Sequence, residues 1–366
     1  MINKPKPFRI FSLDVFRGMT MFLLMAEAAM VYHALTDYFP SGICHIIVTQ
    51  FHHHPWNGLR FWDLIQPNFM FIVGVAMPFS LKSRMKRGDS WNDSCKHILY
   101  RCMMLFLFGT GLHCVYSGHI VWELWNVLTQ LSFTILLTFL IIEWSWKKQF
   151  AVALSCLLLS ELLFRLYDPA APFVKDQNFG SWLDIVLMGK IDDGGGWVAI
   201  NCLPTAAHTI WGAICGKLLL SDLDERDKLK YLLLAAGSGI VIGYGLDLSG
   251  ITPIIKRIAT SSFVIVSGGW ALLTLAFFYW LVDMKGYQKW TQFFAIVGMN
   301  SIFIYLFGET IGVQWLGGFG KVFSYSIFGA LGVSDLGLAV INGFFVLALM
   351  WYLCYFLYKQ KLFFKI

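Results

Sequence analysis

Apolar residues run through this 366-residue chain in stretches of 18–24, near residues 13–35, 62–82, 98–117, 123–144, 149–166, 197–220, 230–248, 260–283, 292–312 and 337–358. A helix needs about 20 mainly apolar residues to cross a bilayer. Every backbone polar group inside the hydrocarbon must also find its partner within the protein. Composition agrees: 57% of residues are hydrophobic and 14% charged, against about a quarter charged in a soluble domain. Phe (33) and Trp (15) are abundant, as expected where aromatic rings meet lipid and its interfaces. The expected fold is all-α: a polytopic transmembrane bundle of about ten spans, forming one domain over residues 1–366. No linker composition or internal repeat divides it.

Charge orients the spans. Connections on one side receive 18 of the 28 basic residues, among them Lys4, Lys6, Arg9, Lys82, Arg84, Lys147, Lys148, Lys285, Lys359 and Lys365. The other side receives six: Arg60, Lys175, Lys190, Lys256, Arg257 and Lys321. The basic side is expected to be cytoplasmic, which places both termini there. The net charge of +6 therefore reports topology and not a nucleic-acid partner. The outer side holds residues 36–61, 167–196, 249–259 and 313–336. Most of the eight cysteines fall in apolar runs and read as small hydrophobes.

Several polar residues do not suit a purely structural bundle. Asp14 and Arg17 lie three apart on the first span, where they share a helix face and can pair. They read either as a snorkelling pair or as a ligand for an anion arriving from the cytoplasm. Glu27 stands mid-span, where a charge costs roughly 2.5–3.5 kcal/mol on insertion scales. Residues 52–63 are densest: His52-His53-His54-Pro55-Trp56-Asn57-Gly58-Leu59-Arg60-Phe61-Trp62-Asp63. Three adjacent histidines hint at metal, but adjacent side chains point apart and no familiar ligand spacing accompanies them. Proton transfer by a histidine suits the segment better, because imidazole titrates near working pH. Gln130, His208, Asn300, Ser301 and Glu309 fall in other spans, and together they imply a polar cavity.

The run Ser12-Leu13-Asp14-Val15-Phe16-Arg17-Gly18 resembles the opening signature of the heparan-α-glucosaminide N-acetyltransferase family and its bacterial relatives. His53-His54-Pro55-Trp56-Asn57-Gly58-Leu59, followed by Asp63-Leu64-Ile65-Gln66-Pro67, is similar to that family's His-x-x-Trp-x-Gly-Leu…Asp-x-x-x-Pro element. Phe71-Ile72-Val73-Gly74-Val75-Ala76 matches the helix after it. Fainter echoes follow in order at 127–131, 203–205, 253–262 and 297–301. This chain departs at two places: Ala26-Glu27 mid-way along the first span, where the family often has Asn, and Gln66 before the Pro of the second, where it commonly has Phe.

The resemblance implies an acyltransferase that passes acetyl from cytosolic acetyl-CoA to an amino sugar, such as glucosamine, or a glycan end across the membrane. No metal is implied, and His53 is the family's active histidine. It would serve as general base or as a transient acetyl carrier. Asp63 or Glu27 would orient its ring, and Asn57, Gln130 or Asn300 would donate to the oxyanion. Arg17 with Asp14, and Gln130, Asn300 and Ser301, are assigned to acetyl-CoA; Trp56, Asn57, Trp62 and His208 to the acceptor. The expected setting is a bacterial inner membrane, with a homodimer consistent with related enzymes. The rival reading is a transporter for an amino sugar or its N-acetyl form.

Overall fold

A computed structural model describes residues 10–364, so Lys4, Lys6, Arg9 and Lys365 lie outside the described residues. In chain order the helices are α1 (Phe11–Ala28), α2 (Val31–Tyr38), α3 (Gly42–Thr49), α4 (Ile65–Lys86, entered through the 3-10 turn Phe61–Leu64), α5 (Trp91–Ser117) and α6 (Val127–Leu140). They continue with α7 (Trp146–Tyr167), α8 (Phe179–Met188), α9 (Cys202–Leu220), α10 (Glu225–Leu248) and α11 (Ser261–Phe278, prolonged to Met284 as a π-helix). The last are α12 (Gln292–Gly298), α13 (Ser301–Phe307), α14 (Gly317–Gly329, joined to α13 by a π-helical stretch) and α15 (Asp335–Lys359). The fold is an all-α bundle. Among the described residues, seven helices are long and apolar enough to cross a membrane, or eight if the bent pair α1–α2 is one span.

Each expected span coincides with helix, but two are built differently. The first bends by 61° between α1 and α2, where Met30 takes a left-handed φ of 61°. The stretch expected as one span at 292–312 and a loop at 313–336 is divided elsewhere. A short α12 ends at a break before Ser301, and helix then runs on to Gly329. In this helix Gly317 and Gly320 face α15. Ser324 and the backbone of Gly317 bond Asn342 of α15 at 3.1 and 3.2 Å, and a side chain on Gly320 would strike that same amide. A helix partner offsets the cost of glycine in the interior.

Local sequence marks several helix starts. Ser90 and Asp93 form a capping box on α5, and Asn126, Asn178 and Ser334 accept backbone N–H groups at the starts of α6, α8 and α15. Such caps satisfy donors that the first helical turn leaves unpaired. At the centre α4 lies on α9. A Cβ on Gly74 would overlap the Thr209 carbonyl, and one on Gly212 the Phe71 carbonyl. Only glycine lets the two backbones approach this closely.

Directions follow from contacts. His53 precedes the start of α4, and Arg84 and Lys86 stand at its end. Glu27, late in α1, bonds Trp62 just ahead of α4, so the two helices are antiparallel. Arg17 therefore lies toward the Arg84 end of the bundle, and His53 lies at the other.

Candidate active site

His53 sits in the irregular segment between α3 and the 3-10 turn, and two devices shape that segment. Gly58 has φ +143°, and a Cβ there would come within 2.6 Å of the His54 ring. The Gly58 N–H then donates to the Ile254 carbonyl at 2.8 Å, and Asn57 bridges Ile255. The Trp-Asn-Gly turn is thereby stitched to the loop between α10 and α11. This pairing brings Lys256 and Arg257 to His53 from about 200 positions along the chain.

The three histidines part company. His52 Nε2 meets Thr36 Oγ1 at 2.8 Å, and the His54 ring lies over Gly58. His53 Nδ1 lies 2.9 Å from Asp63 Oδ1 and 3.1 Å from Lys256 Nζ. The carboxylate of Asp63 is almost wholly buried (1% exposed), and its other oxygen accepts the backbone N–H groups of Arg60 at 2.9 Å and His54 at 3.2 Å. Lys256 Nζ stands 3.8 Å from the first oxygen. A carboxylate so surrounded by donors is ionised, and an ionised carboxylate only accepts. Nδ1 of His53 therefore carries the proton and donates it to Asp63. The lone pair is on Nε2, which has no hydrogen-bond partner among the described residues. The ammonium of Lys256 engages Asp63 electrostatically and does not share the Nδ1 lone pair.

Burial, then the charge of Lys256, push the His53 imidazole down to about 4, against the opposing pull of Asp63. Burial likewise brings the Lys256 ammonium down to about 8, with Asp63 the main opposing influence. His53 is thus a neutral imidazole at ordinary pH, ready to accept a proton at Nε2.

A roof closes over this pair. Trp197 lies edge-to-face with His53, centroids 5.7 Å apart, and Lys256 and Arg257 stand 5.3 and 5.4 Å from its ring. Arg257 also donates to the Gly195 carbonyl, and Lys175 donates to Gly194 at 2.8 Å. The loop holding the two cations is fixed by Asn201, whose amide donates to the carbonyls of both. Sequence reading overlooked Trp197, Lys256 and Arg257 as site residues. Their only signal was a Lys-Arg pair and a Gly-Gly-Gly-Trp run on the side poorest in basic residues.

The structure distributes the other expected residues unevenly. Asp63, not Glu27, contacts His53; Glu27 instead accepts from Trp62 Nε1 at 3.1 Å. Trp62 is buried, edge-on to Tyr32, and offers no free face to a sugar. Trp56 is nearer the surface, its indole N–H donating to the Phe173 carbonyl at 3.1 Å, and Asn57 is exposed beside it. Gln130 is buried and accepts from Gln66, so the divergent Gln66 has a polar partner at the His53 end, away from Arg17. His208 is fully buried between α9 and α11, bonded to Ser267 at 2.9 Å, and does not reach His53. Asp14 and Arg17 pair at 3.0 Å. Asn300 bonds the backbone of Leu362 and Phe364 at the far end of the bundle, with Ser301 next to it. Asn300 is thereby separated from His53, and its amide is used within the fold. Glu309 accepts from Tyr116 at 2.7 Å.

Residues 9–242 match the sequence profile of heparan-alpha-glucosaminide N-acetyltransferase, catalytic. Similar proteins include the heparan-alpha-glucosaminide N-acetyltransferase of Mus musculus, 24% identical over 396 residues, covering 86% of this chain and 56% of the relative. The protein of the same name from Homo sapiens is 25% identical over 369 residues, covering 82% and 52%. The chain spans about half the length of these curated relatives. With the profile covering well over half of its residues, the chain belongs to the heparan-alpha-glucosaminide N-acetyltransferase catalytic family.

Proposed function

We propose that the protein transfers an acetyl group from acetyl-CoA at the basic, cytoplasmic end to an amino sugar at the His53 end. The observation that carries this reading is the His53–Asp63 pair: Asp63 holds Nδ1, and Nε2 is left unprotonated and without a partner among the described residues. In the direct route, the acceptor amine attacks the thioester carbonyl carbon, the C–S bond breaks, and the amine proton passes to Nε2. The departing thiolate then takes a proton to leave as CoA. A base so placed contributes roughly 10²–10⁴-fold. In the alternative route Nε2 itself attacks the thioester carbonyl and expels the CoA thiolate, and the amine then takes the acetyl group from Nε2, its proton passing to the freed Nε2. Asp63 would stabilise the imidazolium in either case, and Lys256 would stabilise charge building on the carbonyl oxygen. Glu27 and Gln66, the two departures from the family pattern, lie close to this pair, so acceptor preference is where this chain would differ from its relatives.

The assay is transfer of labelled acetyl from acetyl-CoA to glucosamine by purified, detergent-solubilised protein. Full activity in His53→Ala would remove His53 from the chemistry. A transporter reading has one observation in its favour, the α1–α2 break next to Glu27, since carriers bind solutes at discontinuous helices. Uptake of labelled sugar into proteoliposomes without CoA would favour it over transfer.

A further inference from the structure

Two short helices at the His53 end are built inside out. α3 has eight residues and α8 ten. Helices of about 12 and 15 Å cannot cross a hydrocarbon core of about 30 Å. On α8 the polar residues face the protein. Ser181 and Asp184 are buried, and Asp184 accepts from Trp125 Nε1 at 2.7 Å and from the Ala199 N–H at 3.0 Å. Trp182, Ile185 and Val186 on the other face are 44–61% exposed. α3 repeats the arrangement. His45 and Thr49 share the face of buried Val48; His45 turns to the Phe39 carbonyl at 2.9 Å, and Thr49 donates to the His45 carbonyl at 2.7 Å. Ile43, Ile46 and Ile47 are 56–77% exposed. Neither outward face carries a charge.

A surface helix in water has the reverse pattern, so both faces need apolar surroundings. The bundle shows where α8 finds them. On the spanning helix α7, Leu158, Leu162 and Leu166 point outward at one-turn spacing. Tyr167, next in the chain, meets Trp182 with ring centroids 6.1 Å apart. α8 therefore continues the lipid-facing surface of α7, with Tyr and Trp at the level where such residues meet headgroups. Tyr38 and Phe39 hold the corresponding place before α3, and Tyr38 lies beside Gly337 at the start of the spanning helix α15.

Both helices are tied to the active site. Gln50, which ends α3, accepts the N–H groups of Phe61 at 3.4 Å and Trp62 at 2.9 Å, just before Asp63. The Asp184–Ala199 bond holds α8 to the chain just after Trp197, the roof over His53. The depth that α3 and α8 take in a membrane is thus the depth of the rim of the site.

We infer that α3 and α8 lie in the leaflet at the His53 end, with their apolar faces in the acyl boundary, and that the acceptor is an amino sugar carried on a lipid. Apolar helix faces of this kind sit about 5–10 Å into that boundary, the level at which a lipid holds its own sugar headgroup. Anchoring also removes part of the freedom that a soluble sugar loses on binding. The lipid-carried acceptor rests on the acetyl-transfer reading above; the seating of the helices does not. A second copy of the chain is the competing occupant of these faces.

The test uses the full chain in phosphatidylcholine–phosphatidylglycerol vesicles. Cys44, exposed on α3, is labelled with bimane, and Ile185→Cys in a Cys44→Ser background reports on α8. Lipids with a nitroxide near the headgroup should quench both probes, and aqueous iodide should not. Quenching by iodide puts the faces in water, and quenching by neither agent puts them against protein; each overturns the proposal. Acetyl transfer is then compared on hexadecyl glucosaminide in the vesicles and on free glucosamine. Ile46→Asn combined with Ile185→Asn should lower kcat/KM for the lipid-carried sugar by about tenfold or more, as the lost burial of an isoleucine implies, and leave that for free glucosamine unchanged. Equal losses on the two sugars, or no loss on either, overturn the lipid-carried acceptor. If the parent chain acetylates neither sugar while lipid quenches both probes, the transfer reading fails, the acceptor falls with it, and the seating of the helices stands.

Discussion

Replacing Asp63 by Asn changes one atom's chemistry and, by the geometry around it, the tautomer of His53. The carboxylate receives two backbone N–H groups on one oxygen, from Arg60 at 2.9 Å and His54 at 3.2 Å, and His53 Nδ1 at 2.9 Å on the other. An Asn side chain has one oxygen. Two backbone donors outweigh one ring donor, so the amide oxygen takes the backbone side and the NH2 faces His53. Nδ1 must then accept, the ring proton moves to Nε2, and the base is lost where substrate would meet it. The equivalent swap in a Ser-His-Asp triad lowers kcat by about 10⁴. A loss of about 10³–10⁴ is expected here, or about 4–5.5 kcal/mol of barrier. The same change leaves Lys256, 3.8 Å away, without its buried counter-charge. Breaking a buried pair in this way costs about 3–5 kcal/mol, reduced to the extent that Lys256 sheds its proton. The assay is single-turnover transfer of labelled acetyl at saturating acceptor, with thermal unfolding of the same preparations. If Asp63→Asn folds and keeps kcat within tenfold of the parent while His53→Ala is inactive, the tautomer argument is wrong.

Four other outcomes follow from the site and the core. Because burial holds the His53 imidazole near 4, kcat at saturating acceptor should stay level from pH 7 to about 5 and fall only below that; an acid limb centred near 6.5 would contradict it. The stability consequence has the same origin: below pH 6.5 the unfolded chain takes a proton that the folded His53 refuses, so folding should weaken as pH drops from 6.5 toward 4, read as a falling thermal midpoint. Lys256→Met removes the cation 3.1 Å from the ring and should move the acid limb of kcat upward; an unmoved limb would mean Lys256 does not influence the base. Gly212→Val forces a side chain against the Phe71 carbonyl and to within about 3 Å of the Val75 nitrogen, and overpacking of this kind costs about 1–3 kcal/mol; an unchanged midpoint would show that α4 and α9 separate freely.

Hydrophobic run length alone was enough to expect an all-α membrane bundle, because lipid accepts few other backbone arrangements. The order Asp14…Arg17, then His53…Trp56…Asp63, was equally visible, since those residues sit close together in sequence. Periodicity did not separate span from loop at 313–329, where Gly317 and Gly320 meet Asn342 on α15. It also did not show the α1–α2 break. The choice between Asp63 and Glu27 as the partner of His53 could not be made from the chain alone, as both are carboxylates at the same end of the bundle. Tertiary structure made that choice, and it added Lys256, 203 positions from His53, along with Trp197. It also led His208 to Ser267 and Asn300 to the C-terminal backbone, away from the acceptor and acetyl-CoA they had been expected to meet. The physical reason is range. Burial of a helix face is written locally every three or four residues, whereas hydrogen bonds and charge act over a few ångströms between segments that only folding makes neighbours.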